Sequence, residues 1–259
     1  MRAYILCDYE GTTGTVTWED EEAKLGPEAM AGDVNAIIHG LRDGGFTRFV
    51  VRDYHANGRT IHPADLDPAA TLIRGKRTPF PYGLSPNFDA MVFAGAHSKA
   101  GTAAGVMCHT MNGDVFDVRI NGKSIGEIGG YALLAGHYDV PIILVTGDQA
   151  ACDEARDIIG DVETAVVKVG LSRHCATCLH PTAARNLIRE KAREAARRAK
   201  SLKPLKWEGP FVLEVTFKSP DHADRSLETI RGERADDLTV RIQRDTIAEV
   251  LQCFERGFE

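Results

Sequence analysis

No apolar run in this sequence approaches the roughly 18–20 residues of a membrane-spanning helix. A strand-like segment begins by Ala3, which leaves no room for a signal peptide, so a cytoplasmic protein with no membrane partner is expected. Cysteine is sparse: six residues are spread over 259 positions without the spacing of a small disulfide framework, and reduced thiols are the expectation. Basic excess is also missing. Lys and Arg number 31 against 37 Asp and Glu, a formal net charge of -6, which argues against a nucleic-acid partner. With no repeat or low-complexity tract, 43% hydrophobic and 26% charged residues describe an ordinary globular chain, long enough for one substantial core or two modest ones.

Apolar runs alternate with helical periodicity through the first two-thirds. Strands are expected at Tyr4 to Asp8, Phe46 to Arg52, Asp89 to Gly95, Pro141 to Thr146 and Thr164 to Val169, several continuously apolar, as in strands covered on both faces. Between the first two, Met30, Val34, Ile37, Ile38 and Leu41 share one helical face, and Gly44-Gly45 supplies a stop. The fold class is therefore α/β, a mostly parallel sheet flanked by helices. Phe116, Val118 and Ile120 alternate with Asp117 and Arg119 before Asn121-Gly122, which marks an inserted β-hairpin. Gly126 to Tyr138 reads as a helix with Glu127 in its first turn, and Thr182 to Ser201 as a strongly basic one. After Pro204 the order strand, helix, strand, helix suggests a smaller C-terminal α+β part. Domains 1–203 and 204–259 are expected, with a soft boundary at the short linker Lys203-Pro204-Leu205-Lys206.

The first strand ends in Asp8-Tyr9-Glu10-Gly11. Residues i and i+2 of a strand share a face, so Asp8 and Glu10 stand side by side and repel unless a proton, solvent or a cation intervenes. Later strands run into Asp53-Tyr54-His55 and Gly95-Ala96-His97. Open α/β sheets gather their sites at the carboxyl ends of the strands, so Asp8, Glu10, His55 and His97 converge there. Glu127 brings the set to three carboxylates and two imidazoles. Mixed oxygen and nitrogen donors suit Zn²⁺ first, with Mn²⁺ and Fe²⁺ as alternatives, and a bridging aspartate is a common way to hold two ions. Such a pair acidifies a shared water and polarises a carbonyl, as amide hydrolysis requires. His109, between the His97 loop and the hairpin, is either a proton carrier for that chemistry or a hydrogen-bonded structural histidine.

Other features carry less. His174 to His180, with Cys175 and Cys178, resembles a zinc or redox motif, yet seven consecutive residues hardly wrap a tetrahedron, and reduced thiols in a loop bordering the active site are expected. Arg185 to Lys200 holds seven basic residues against two acidic, a local +5. With no interleaved aromatics it reads as a solvated face or a subunit contact. Gly11-Thr12-Thr13-Gly14-Thr15 lacks the lysine and spacing of a phosphate loop. His39, His62, His137 and His222 have no convergent partners in sequence.

Several separated blocks together resemble the D-aminopeptidase family of zinc peptidases. They are Asp8-Tyr9-Glu10-Gly11 with Gly14, Asp53-Tyr54-His55, Gly95-Ala96-His97 with Gly101-Thr102, His109-Thr110-Met111, Asn121-Gly122 with Gly126-Glu127, and Thr146-Gly147-Asp148. They follow in family order over about two-thirds of the chain. The resemblance implies two zinc ions per subunit, bridged by Asp8 and completed by Glu10, His55, His97 and Glu127, with His109 catalytic. It also implies short peptide substrates with an N-terminal D-residue, and homo-oligomers, typically homodecameric rings that enclose the active sites. Leu6 stands where the family usually has a serine, which removes a hydroxyl from the face of Asp8 and Glu10. Two other readings remain open: a metal-dependent amidase with a non-peptide substrate, and a non-catalytic, metal-stabilised oligomer that binds peptide.

Overall fold

The computed structural model describes residues 1–23, 25–75 and 80–256. Strand β1 (Arg2–Cys7) leads through the short helix α1 (Glu19–Glu22) into α2 (Leu25–Asp43), then to β2 (Arg48–Asp53), β3 (Ala70–Ile73) and β4 (Ala90–Ala96). A hairpin of β5 (Val115–Ile120) and β6 (Lys123–Ser124) precedes α3 (Glu127–His137), β7 (Ile142–Asp148), α4 (Gln149–Ile159), β8 (Glu163–Ser172) and β9 (Cys175–Cys178). Helix α5 (Pro181–Arg198) is followed by β10 (Phe211–Phe217), α6 (Pro220–Thr229), β11 (Glu233–Arg234), β12 (Thr239–Arg244) and α7 (Ile247–Arg256).

The main sheet has the order β3-β2-β1-β4-β7-β8-β9, parallel except for the antiparallel edge strand β9. Strand β1 lies inside the sheet between β2 and β4, and its residues alternate between two cores. Ala3, Ile5 and Cys7 pack toward α2 and α5, while Tyr4 and Leu6 pack toward α3, α7 and a second sheet. Burial on both faces explains the continuous apolar runs. In α2 the expected stripe Met30, Val34, Ile37, Ile38 and Leu41 is buried throughout. None of the described helices is long and apolar enough to cross a membrane.

The second sheet, β11-β12-β10-β5-β6, is antiparallel. Its hairpin turns at Asn121 (φ 52°) and Gly122 (φ 76°), both left-handed, as a tight two-residue turn demands. The hairpin does not enter the parallel sheet. Val118 pairs with Val215 across β5 and β10, so strands from both sides of residue 204 share one sheet. The 174–180 segment also differs from expectation: Cys175–Cys178 is strand β9 on the edge of the main sheet, not a loop, because the exposed flank of β8 offers it a backbone partner. The basic helix α5 spends much of its charge inside the chain. Arg189 pairs with Asp43 of α2 at 2.7 Å and Arg198 with Glu163 of β8 at 2.6 Å.

From β1 the chain fills one side with β2 and β3, then crosses to lay β4 on the other side. That reversal opens a crevice at the carboxyl ends of β1 and β4. Gly95 sharpens it: at φ +64°, an added Cβ would meet the Asp8 carbonyl oxygen at 2.3 Å, so only glycine lets the two strand ends approach this closely. At the opposite end of the sequence, Glu255 of α7 accepts hydrogen bonds from Tyr131 (2.6 Å), Tyr82 (2.9 Å) and Tyr54 (3.4 Å), the last adjacent to His55.

Candidate metal centre

All six residues singled out in the sequence meet at this crevice. Asp8 and Glu10 follow β1, His55 follows β2, His97 follows β4, and Glu127 opens α3. Two buried triads result, one of Asp8, Glu10 and His55, the other of Asp8, His97 and Glu127, and within each one ligand atom per residue lies within 4.8 Å of the others. The Nδ1 of His55 is 3.4 Å from both Asp8 Oδ1 and Glu10 Oε2. The Nε2 of His97 is 3.6 Å from Asp8 Oδ2 and 3.4 Å from Glu127 Oε1. Asp8 thus turns one oxygen to each triad. Glu10, His97 and His109 form a third group of the same compactness.

Backbone groups fix the imidazoles. His97 and His109 each place Nδ1 against a main-chain carbonyl, Ser98 at 3.0 Å and Met107 at 2.8 Å. A carbonyl only accepts, so Nδ1 carries the proton and Nε2 presents its lone pair. The two rings stack with centroids 4.0 Å apart. The Nε2 of His109 lies 3.7 Å from Glu10 Oε1. His55 uses its remaining nitrogen on Glu21, at 3.3 Å, the outer carboxylate that metal-ligating histidines commonly keep.

Charge at this density strains the titration of every member. Burial, then the neighbouring Glu10 carboxylate, pushes the Asp8 carboxyl up to about 7. Burial opposes ionisation of Glu127 as well, but the His97 imidazole outweighs it and holds that carboxyl down at about 2. Burial likewise disfavours the Glu10 carboxylate, yet His55, His97 and His109 hold it well below the usual range. His109 is pushed below its ordinary value, first by burial and then by the neighbouring His97. Within the candidate ligand set, two buried polar atoms find no hydrogen-bond partner, Glu10 Oε2 and His97 Nε2, and they belong to different triads. An unpaired carboxylate oxygen and an unpaired imidazole nitrogen are what a borderline cation such as Zn²⁺ takes up, so the residues present fit the group.

Comparison with known proteins agrees with this geometry. A family model described as D-aminopeptidase matches residues 1–256. The chain belongs to the D-aminopeptidase family. A D-aminopeptidase of Bacillus subtilis (strain 168) is 35% identical over 264 residues, covering 98% of this chain and 95% of that protein. The solved structure described as "Zn-dependent D-aminopeptidase DppA from Bacillus subtilis, a self-compartmentalizing protease" superposes with a TM-score of 0.93 at 31% identity, over 100% of this chain and 98% of that one. Membership of the D-aminopeptidase family makes the chain a peptidase, a hydrolase of amide bonds.

Several blocks that mark the D-aminopeptidase resemblance hold the scaffold instead of facing the crevice. Asp53 Oδ2 accepts from the Ile61 N–H at 2.8 Å, and Thr146 Oγ1 accepts from the Gly95 N–H at 2.9 Å. Asp148 caps α4 through Ala151 N–H (3.0 Å) and holds the loop toward His109 through Val106 N–H (2.7 Å). Leu6 is fully buried in the apolar core. No group of candidate metal ligands among the described residues includes His174, Cys175, Cys178 or His180.

Four contributors escaped the sequence reading: Trp18, Glu21, Arg173 and Lys168. The first three line a cavity of about 360 Å³ that also exposes Asp8, Glu10, His55, His109 and Glu127. Trp18 directs its indole N–H at Glu10 Oε1, 3.4 Å away. Lys168, on β8, is wholly buried, and its ammonium donates to the carbonyls of Glu10 (2.6 Å), Thr12 (2.9 Å) and Thr15 (2.5 Å). Burial, with no carboxylate among the described residues in direct contact, lowers its pKa to about 8. A lysine between Val167 and Val169 in an apolar strand was the one signal available.

Proposed function

We propose that this chain is a dinuclear zinc aminopeptidase that hydrolyses short peptides with an N-terminal D-residue. One observation carries the reading: two compact buried triads share Asp8, with Oδ1 toward His55 and Oδ2 toward His97. Asp8, Glu10 and His55 would hold one ion, and Asp8, His97 and Glu127 the other. What zinc supplies when bound is Lewis acidity toward a carbonyl and a lowered pKa for water.

The chain's own part is positioning and proton transfer. His109 is the catalytic residue of this reading. Its neutral Nε2, oriented by the Met107 carbonyl, takes the proton of the attacking water and returns it to the departing amine. Its lowered pKa keeps it unprotonated at neutral pH, as a base must be. Glu21 fixes the His55 ring, and Lys168 fixes the loop that carries Glu10. The carboxylate-rich floor attracts the free ammonium of a peptide.

The self-compartmentalizing relative supports assembly into a homo-oligomer that encloses its active sites, with a decameric ring as the family expectation. Six free cysteines support residence in the cytoplasm. The test is metal content per chain measured beside hydrolysis of D-alanyl-D-alanine and its L,L counterpart. Two zinc ions per chain and faster cleavage of the D,D peptide are expected. A fully loaded protein that leaves both intact, or one that cleaves acylated amines without a free amino terminus, overturns the reading.

A further inference from the structure

One positively charged side chain in the cavity has no role in holding metal or moving protons. Arg173, in the turn between β8 and β9, lines the pocket beside Trp18, Asn112 and Gly113. Its guanidinium is held from two directions. Nε donates to the Cys108 carbonyl at 3.2 Å, and Cζ lies 5.3 Å from the centroid of the Trp18 ring. The same indole reaches Glu10 with its N–H, so Arg173 stands one aromatic ring away from a carboxylate of the metal centre. Neither Nη atom is committed to a carboxylate among the described residues, whereas the arginines of α5 largely are.

We propose that Arg173 binds the free α-carboxylate of the substrate and so selects short peptides with an uncapped carboxyl terminus. The proposal rests on the aminopeptidase reading and adds the substrate's other end. A dipeptide carries an ammonium and a carboxylate, and the pocket is polarised to suit both. Apart from the Tyr54 phenol, its remaining titratable lining is carboxylate and imidazole, which favours the amine, and Arg173 is the one guanidinium or ammonium among the described lining residues. The planar fork of a guanidinium matches a carboxylate with two parallel hydrogen bonds, which the ammonium of a lysine cannot reproduce. Stacking on Trp18 and the bond to Cys108 orient the fork before substrate arrives, which reduces the entropy lost on binding.

Size sets the length. An extended dipeptide spans at most about 7 Å and a tripeptide about 10 Å. A cavity of about 360 Å³ lies at the small end of ligand sites and accommodates such a molecule between the metal centre and the β8–β9 turn. A longer chain would carry its carboxylate past the arginine and forfeit the contact.

The experiment uses zinc-loaded protein carrying His109→Ala, so that turnover is slowed about 100- to 10,000-fold, and measures binding by calorimetry. D-alanyl-D-alanine should bind about 10- to 100-fold more tightly than D-alanyl-D-alaninamide, the range for a hydrogen bond to a charged group. Adding Arg173→Gln should bring the acid down to the affinity of the amide and leave the amide unchanged, at unaltered zinc content. Arg173→Lys should restore part of the preference. Equal binding of acid and amide by the parent, no binding of either, a preference that survives Arg173→Gln, or loss of zinc in that variant overturns the assignment. If the preference is present and depends on Arg173 but the wild-type protein never cleaves the peptide, the carboxylate site stands and the peptidase reading falls.

Discussion

Replacing His109 with alanine separates the two ways in which that residue fits the site. Its Nε2 is 3.7 Å from Glu10 and its ring is stacked at 4.0 Å on His97, so it belongs either to the proton-transfer machinery or to the third compact group with Glu10 and His97. As a general base it is worth about 100- to 10,000-fold in rate, equivalent to roughly 3–5 kcal/mol of activation free energy. The expected outcome is therefore two zinc ions per chain, nearly unchanged KM, and kcat reduced by that factor. The pH profile adds a sign. Burial, ahead of any other cause, pushes the wild-type imidazole below its usual range, so it stays neutral, and the rate stays level, down to a pH below about 6.5. As pH falls through the lowered value the ring takes a proton, can accept none from water, and kcat/KM declines. His109→Ala should lose that acid limb. Plasma emission spectrometry and steady-state kinetics on D-alanyl-D-alanine decide the matter: loss of one zinc, or retention of full turnover, refutes the role.

Three other perturbations follow from specific contacts. Gly95→Ala forces a left-handed residue to carry a Cβ 2.3 Å from the Asp8 carbonyl; it should cost about 2 kcal/mol or more and lower the melting temperature by roughly 4–8 °C, measured by calorimetry. An unchanged melting temperature would mean the strand ends part easily. Lys168→Met takes the ammonium donor from three buried carbonyls of the 10–15 loop, leaving those of Glu10 and Thr12 to share the Thr15 hydroxyl, and about 3–5 kcal/mol of stability should go with it, read from urea unfolding. Glu21→Gln removes the charge behind His55 and should weaken zinc binding about 10- to 100-fold in a chelator competition, while Glu21→Asp restores part of it.

Much of the candidate site's convergence was legible because its parts obey a local rule. Ligands that follow strands of a parallel sheet arrive at one edge whatever the loops do, so Asp8, Glu10, His55 and His97 could be gathered from their positions after apolar runs. The hairpin was legible for a local reason too, since Asn121-Gly122 demands left-handed backbone. Its partner was not. The pairing of Val118 with Val215 joins segments almost a hundred residues apart, and alternation in each strand says nothing about which other strand it meets. Strand β9 was missed for a similar reason, because Cys175–Cys178 is held extended by β8 and not by its own composition. Trp18, Glu21 and Arg173 reach the pocket from a loop, a one-turn helix and a hairpin turn, none of which has a periodicity that fixes direction. Lys168 looked like an interruption of an apolar strand, and only the folded 10–15 loop supplies the carbonyls that explain it.

The tyrosine-clasped Glu255 ties one of the last helical residues to the neighbour of His55. On a ribosome, that clasp cannot close until residue 255 has emerged, so a nascent chain carries Asp8, Glu10 and His55 long before the clasp can form. Tyr54, the neighbour of His55, would then meet Glu255 only after every strand of both sheets has been synthesised.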